Sequence, residues 1–181
     1  VFQYYNFMKF NLKEYFKISV IYTLIGALGP IIQIFVQPII EGENRLGAID
    51  FSHLAITETI ASLAYILTLF SMSTAIARFY YDFNNNTKEQ KRLIASIFNS
   101  ILLRGIILLS IVLLFGKYIG NIFTQEELKQ FTSYGFAAVI IGINRSVIAT
   151  AGALFRNEKN IKLFVVMNMM LTVLRTGLQI A

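Results

Sequence analysis

The chain contains no cysteine and a single histidine, His53. A disulfide framework and a thiolate metal site are therefore excluded, and imidazole metal centres have one donor at most. Charge is scarce as well. Asp, Glu, Lys and Arg make up 14% of the 181 residues, against about 25% in a soluble domain, whose surface must be wet. Asp50 and Asp82 are the only aspartates, and both fall in polar connecting stretches. The sequence has no phosphate-cradling glycine loop, no GxGxxG dinucleotide pattern, no metal-ligand cluster and no catalytic-triad arrangement. It reads as a non-enzyme without metal or cofactor. A signal-peptide pattern is missing from the first ten residues, and the first apolar run exceeds the roughly 7–15 residues of a signal core.

What the chain has in abundance is apolar length. Hydrophobic residues reach 56%, and the mean hydropathy is +0.62. Five runs stand out: 18–40, 51–77, 93–116, 131–155 and 163–181. About 20 predominantly apolar residues cross a bilayer core as a helix, so the runs predict an all-α, polytopic membrane helix bundle. The net charge of +6 does not point to nucleic acid, because the basic residues sit between the apolar runs and form no continuous stripe. Anionic lipid headgroups explain them more simply.

The side on which those charges lie predicts the orientation. Lys9, Lys13, Lys17, Arg78, Lys88, Lys91, Arg92, Arg156, Lys159 and Lys162, ten in all, fall in alternate connections. Arg45, Lys117 and Lys129 fall in the others, and Arg104, Arg145 and Arg175 lie within runs. The excess of Lys and Arg marks the cytoplasmic side, which predicts a cytoplasmic N-terminus. Lys9, Lys13 and Lys17 share one helical face, so Val1–Lys17 reads either as an interfacial lead-in helix or as a solvated stem. The chain opens on Val1 and its fifth run stops at Ala181, so it reads as the N-terminal part of a longer protein.

Polar residues inside the runs are the candidate functional groups. In the first run Gly26, Pro30, Gln33 and Gln37 follow helical spacing, and Pro30 removes a backbone hydrogen bond and is expected to kink the helix. Glu58 lies about two turns into the second run with Ser62 and Tyr65 on its face. An intramembrane carboxylate is a functional candidate, for ion or proton coupling or for pairing with an arginine; snorkelling to the interface is the other reading. Arg104 shares a face with Ser96 and Ser100. Arg145 lies in a stripe of small residues, Ala138, Gly142, Ala149 and Gly152, of the kind that lets helices approach closely. Arg175 shares a face with Asn168, Thr172 and Gln179.

Each Arg at a helix centre costs about 2.5–3.5 kcal/mol on insertion scales. Two readings of Arg104, Arg145 and Arg175 stay open. They hold the bundle together through carbonyls and Glu58, or they line a cationic cavity, with Gln33, Gln37, Asn168, Thr172 and Gln179 as further lining candidates. Guanidinium stays charged and grips phosphate oxygens in a bidentate fork, so a phosphorylated or carboxylated amphiphile is the ligand class of the second reading.

The stretch from Ser71 to Arg92 joins the second run to the third. Its segment Ser73–Phe83, STAIARFYYDF, followed by Lys88–Leu93, KEQKRL, resembles the second-to-third helix junction of the polysaccharide flippases, the O-antigen and capsule oligosaccharide exporters related to MATE transporters. Phe35–Ile40, FVQPII, is similar to the proline-bearing end of that family's first helix, and Ala153–Phe164, ALFRNEKNIKLF, to the inner loop before its fifth. The resemblance implies a transporter of 12 to 14 helices, of which this chain covers about the first third. It implies a protein of the bacterial cytoplasmic membrane that moves undecaprenyl-pyrophosphate-linked oligosaccharide between leaflets by alternating access. Its partners would be the lipid-linked oligosaccharide, membrane lipids and other polysaccharide-assembly membrane proteins. In that picture Arg104, Arg145 and Arg175 contact pyrophosphate. A drug or metabolite exporter of the same fold, a membrane-embedded polysaccharide polymerase or ligase, and a structural membrane subunit are the alternatives; the short outer connections count against the polymerase or ligase.

Overall fold

A computed structural model describes residues 12–40, 47–83, 86–123, 129 and 131–180, excluding the side chains of residues 14, 15, 40, 48, 49 and 178–180. Every regular element in it is an α-helix: α1 Leu12–Ile40, α2 Ala48–Leu69, α3 Met72–Phe79, α4 Thr87–Gly120, α5 Phe131–Asn157 and α6 Ile161–Ile180. Segments Phe16–Ile39, Asp50–Phe79, Thr87–Gly120 and Phe131–Asn157 are long and apolar enough to cross a membrane. The 20 residues of α6 rise about 30 Å, a bilayer core thickness. The chain is a multi-pass helical membrane protein.

It divides into two compact units, residues 1–42 with 161–181, and 43–160. In the first, α1 and α6 pack in parallel, with the rings of Tyr22 and Phe164 edge to face at 4.8 Å. α1 starts earlier than the apolar run: Lys13 and Lys17 lie in the same unbroken helix as the span, which also passes through Pro30 and Pro38. Residues 1–11, the charged residues Glu41, Glu43 and Arg45 after the first run, and Asn84 and Asn85 lie outside the described residues.

The second unit is a bundle in which α2 and α3 run parallel to α5, and α4 runs antiparallel to both, the alternation expected of successive spans. Two cores stack along it. Ala64, Val112, Phe131 and Val139 form one; Ile76, Ile97, Ile101 and Ala153 form the other. α4 and α5 contribute to both cores, whereas α2 supplies the first and α3 the second.

Small residues set the spacing. Gly142 on α5 meets α2 so closely that a Cβ would lie 2.7 Å from the Ala61 carbonyl oxygen and from Ala64 Cβ. Gly105 and Gly116 on α4 similarly receive Ile143 and Thr132 of α5. Without a hydrophobic drive between helices in lipid, this kind of close approach is what associates them. Ends are capped locally. Asn86 Oδ1 accepts from the amides of Lys88 and Glu89 at the start of α4, as a side-chain N-cap does. α5 stops where Lys159 turns left-handed at φ 53, and the Asn160 amide reaches back to the Phe155 carbonyl at 2.9 Å, a Schellman closure.

Run 51–77, which has no glycine or proline, lies within one apolar segment, Asp50–Phe79, long enough to cross a membrane, but its helix is interrupted between Leu69 and Met72. Phe70 (φ 36, ψ 55) and Ser71 (φ 61, ψ 16) are both left-handed. For L-residues that conformation costs roughly 1–2 kcal/mol each, so tertiary contacts must hold it. The break separates α2, which supplies the first core, from α3, which supplies the second.

Candidate functional site

The three intramembrane arginines meet three different environments. Arg145 on α5 grips Glu58 on α2 with both arms of its guanidinium, Nη1 to Oε1 at 2.5 Å and Nη2 to Oε2 at 2.7 Å. This fork-on-fork geometry is the strong form of the ion pair. Both carboxylate oxygens of Glu58, the candidate for ion or proton coupling, are thereby engaged. The next residue, Ser146, has its Oγ 2.6 Å from Thr68 Oγ1 and donates to the Tyr65 carbonyl at 3.1 Å. Thr68, Ser146 and Thr150 are fully buried. Close approach at Gly142, the hydroxyl pair and the ion pair together make a polar seam between α2 and α5.

Arg104 on α4 serves the break. Its Nη1 donates to the Thr68 carbonyl at 3.4 Å, and its guanidinium carbon stands 5.0 Å from the centre of the Phe70 ring. Thr68 belongs to the last turn of α2, where carbonyls lose their helical donors. A cation at a helix C-terminus is favoured by the helix dipole, and a cation over an aromatic face gains further attraction. Arg104 thus holds the ring of a left-handed residue and caps the helix that residue ends.

Arg175 is placed differently. In the α1–α6 unit, Ile25, Gly26, Gly29, Gln33, Asn168, Leu171, Thr172, Arg175 and Thr176 line a groove of about 130 Å³. Pro30 has no N–H, so the Gly26 carbonyl cannot receive its usual i+4 donor, and Gly26 is a lining residue. Thr172 Oγ1 and Asn168 Nδ2 each donate to carbonyls of their own helix, at 2.9 and 2.8 Å. Among the described residues no carboxylate lines the groove or pairs with Arg175. Of the lining candidates read from the sequence, Gln33, Asn168 and Thr172 meet there. Gln37, on α1 beyond Gln33, is not in the lining, and the side chain of Gln179 lies outside the described residues.

No protein family, curated protein or solved structure matches the chain. Among the described residues no group of three or more His, Asp or Glu is placed to hold a metal ion.

Sequence reasoning missed two things here. It had no signal for the break, because Phe70 and Ser71 carry none of the usual markers of a positive φ. It also gave Arg104, Arg145 and Arg175 one pair of alternatives, although the face of Arg104, apolar apart from Ser96 and Ser100, differs from the small or polar faces of the other two. Glu58 was the one cue that could separate them, as the only acidic residue within a run and so the only ion-pair partner available inside the membrane.

Proposed function

We propose that this chain is part of a membrane transporter for an anionic amphiphile, and that the amphiphile is a pyrophosphate-linked oligosaccharide lipid carried from the inner to the outer leaflet by alternating access. The carrying observation is Arg175. Arg145 and Arg104 have partners within their own bundle, whereas Arg175 sits in a polar groove that no carboxylate lines among the described residues. An unpartnered ionised group in a membrane span is a functional candidate because the cost of placing it there needs a return. The groove's donors, from Arg175, Gln33 and Thr176, suit a phosphate-class oxyanion. Its volume of about 130 Å³ is well below the roughly 300–1,000 Å³ of pockets that enclose drug-sized molecules, which favours recognition of a headgroup over enclosure of a whole drug. The resemblance in Ser73–Phe83 and Ala153–Phe164 supports the same substrate class and a cytoplasmic-membrane location.

The test is a flipping assay. The whole protein is reconstituted in liposomes with a fluorescent lipid-pyrophosphate oligosaccharide, and the fraction accessible to a quencher is followed over time. Arg175→Ala should lower the rate about tenfold, the loss of one charge-assisted contact of about 1.4 kcal/mol, and Arg175→Lys should retain part of it. An unchanged rate in Arg175→Ala would remove the groove from the transport path.

A further inference from the structure

The groove between α1 and α6 has two ends of opposite hydrogen-bonding character. Tyr22 meets Phe164 edge to face at 4.8 Å, and a Cβ on Gly29 would lie 4.0 Å from Thr172 Oγ1. These two contacts set the register of the parallel helices. They put Gly26 near the level of Asn168 and Gln33 near that of Arg175, and all four line the groove. Asn168 and Arg175 stand seven positions apart, which is about 10 Å along the helix axis. Thr172 lies between the two levels.

At the Arg175 end donors dominate. A guanidinium carries five N–H groups and no acceptor, and Arg175 donates to none of the described residues. At the Gly26 end the balance reverses. Asn168 Nδ2 donates to the Phe164 carbonyl at 2.8 Å. A carbonyl only accepts, so this contact fixes the amide's orientation and leaves Oδ1 as its open atom. Thr172 gives its single hydroxyl hydrogen to the Asn168 carbonyl at 2.9 Å, which leaves Oγ1 only its lone pairs. Among the described residues neither Asn168 Oδ1 nor Thr172 Oγ1 accepts a hydrogen bond. The Gly26 carbonyl lacks its i+4 donor because Pro30 has no N–H, and a Cβ on Gly26 meets nothing within 4 Å. Three oxygen acceptors therefore gather towards one end, with the arginine's donors at the other.

Within a membrane span an acceptor without a donor costs free energy that only a neighbour, cavity water or a ligand removes. An oxyanion cannot be that ligand at the Gly26 end, since it would bring acceptors to acceptors. An ammonium group would donate, but among the described residues no carboxylate lines the groove to offset its charge. A neutral hydroxyl meets both conditions.

We infer that the groove holds two groups of one ligand: a phosphate oxyanion at Arg175 and Gln33, and a hydroxyl that donates to the acceptors of Gly26, Asn168 and Thr172. The ligand class is a hydroxylated phosphate ester, as in a polyol or sugar phosphate, borne either on a lipid or by a soluble molecule. This rests on the reading of Arg175 as an oxyanion site and adds the second group that the ligand must carry.

Native mass spectrometry of the purified whole protein compares phosphatidylglycerol with phosphatidylethanol, which has the same phosphodiester charge and no hydroxyl. Glycerol 3-phosphate and ethyl phosphate make the same contrast without acyl chains. Phosphatidylglycerol should bind saturably and about tenfold more tightly than phosphatidylethanol, the effect of one or two neutral hydrogen bonds. Asn168→Leu and Thr172→Val should each cut that preference several-fold. Pro30→Ala, outside the lining, returns an N–H to the Gly26 carbonyl and should narrow the preference as well. Arg175→Gln should weaken both lipids about tenfold and keep their ratio. If only the soluble pair shows the preference, the inference stands and its ligand is soluble. Equal binding within both pairs by the unaltered protein overturns it, with water as the donor and the oxyanion reading untouched. Full preference retained in both Asn168→Leu and Pro30→Ala overturns it too. Normal binding of both lipids by Arg175→Gln, or no binding of any probe, removes the oxyanion site itself and the inference with it.

Discussion

Arg145 and Glu58, 87 residues apart in sequence, meet in a two-pronged ion pair that ties α5 to α2. Their side chains keep 33% and 52% of their exposure, so the pair sits at the edge of the seam and not inside the core. That position matters for its energetics. A pair in water contributes about 0–1 kcal/mol, while removing one partner of a dry pair costs about 3–5 kcal/mol.

The pair predicts an asymmetric result. Glu58→Gln keeps the shape and leaves Arg145 able to donate, so it should lower the thermal midpoint of detergent-solubilised protein only slightly. Arg145→Ala strips the carboxylate of its partner and should lower it more. The exchange Glu58→Arg with Arg145→Glu should recover at least half of the loss. Failure of the exchange to recover anything would show that the two charges act separately.

Gly142 and Gly26 make a second contrast. A Cβ on Gly142 meets two backbone atoms and Ala64 within 2.8 Å, while one on Gly26 meets nothing within 4 Å. Backbone cannot rotate aside, so Gly142→Ala should force α2 and α5 apart at a cost of about 1–3 kcal/mol. Gly26→Ala should be neutral or slightly stabilising, because it gains helix propensity. Steric-trapping or denaturant-unfolding free energies compare the two directly.

The left-handed break gives a stabilising prediction. Ser71 adopts φ 61 with no cap hydrogen bond from its side chain. Ser71→Gly keeps that conformation at lower strain and should stabilise the protein by up to about 1 kcal/mol. Phe70→Gly relieves the same kind of strain but removes the ring under Arg104, so it should gain less or lose. Equal gains from both variants would mean that the ring contributes nothing to Arg104.

Orientation is checked with the absence of cysteine as an asset. A single cysteine at Lys88 should react with a membrane-impermeant maleimide only after cells are opened, and one at Lys117 should react in intact cells. The reverse pattern would invert the topology that the basic residues imply.

Much of this architecture was legible in the residues, for a physical reason. Lipid enforces helices, because backbone groups must be satisfied within the segment, so apolar length alone located the long helices. Each described helix overlaps its run, and α4 and α5 extend a few residues beyond theirs. The stripe Ala138, Gly142, Ala149 and Gly152 announced a close contact, and Ala138, Gly142 and Gly152 are indeed buried. The start of α4 at Thr87, ahead of its run at Leu93, was not read from the sequence, although an Asn before a charged first turn can cap a helix.

What tertiary structure alone decided is which partner each polar group meets. A run such as 51–77 is helical throughout by composition; only the demands of two stacked cores, with Arg104 at hand to cap and stack, bend Phe70 and Ser71 into left-handed backbone. As sequence, the three arginines shared only their place as cations within apolar runs. Packing gave Arg145 to Glu58 and Arg104 to a freed carbonyl and a ring, and left Arg175 in a groove that no carboxylate lines among the described residues. Composition fixes how many charges enter the membrane, whereas long-range contact fixes which of them remain available to a ligand.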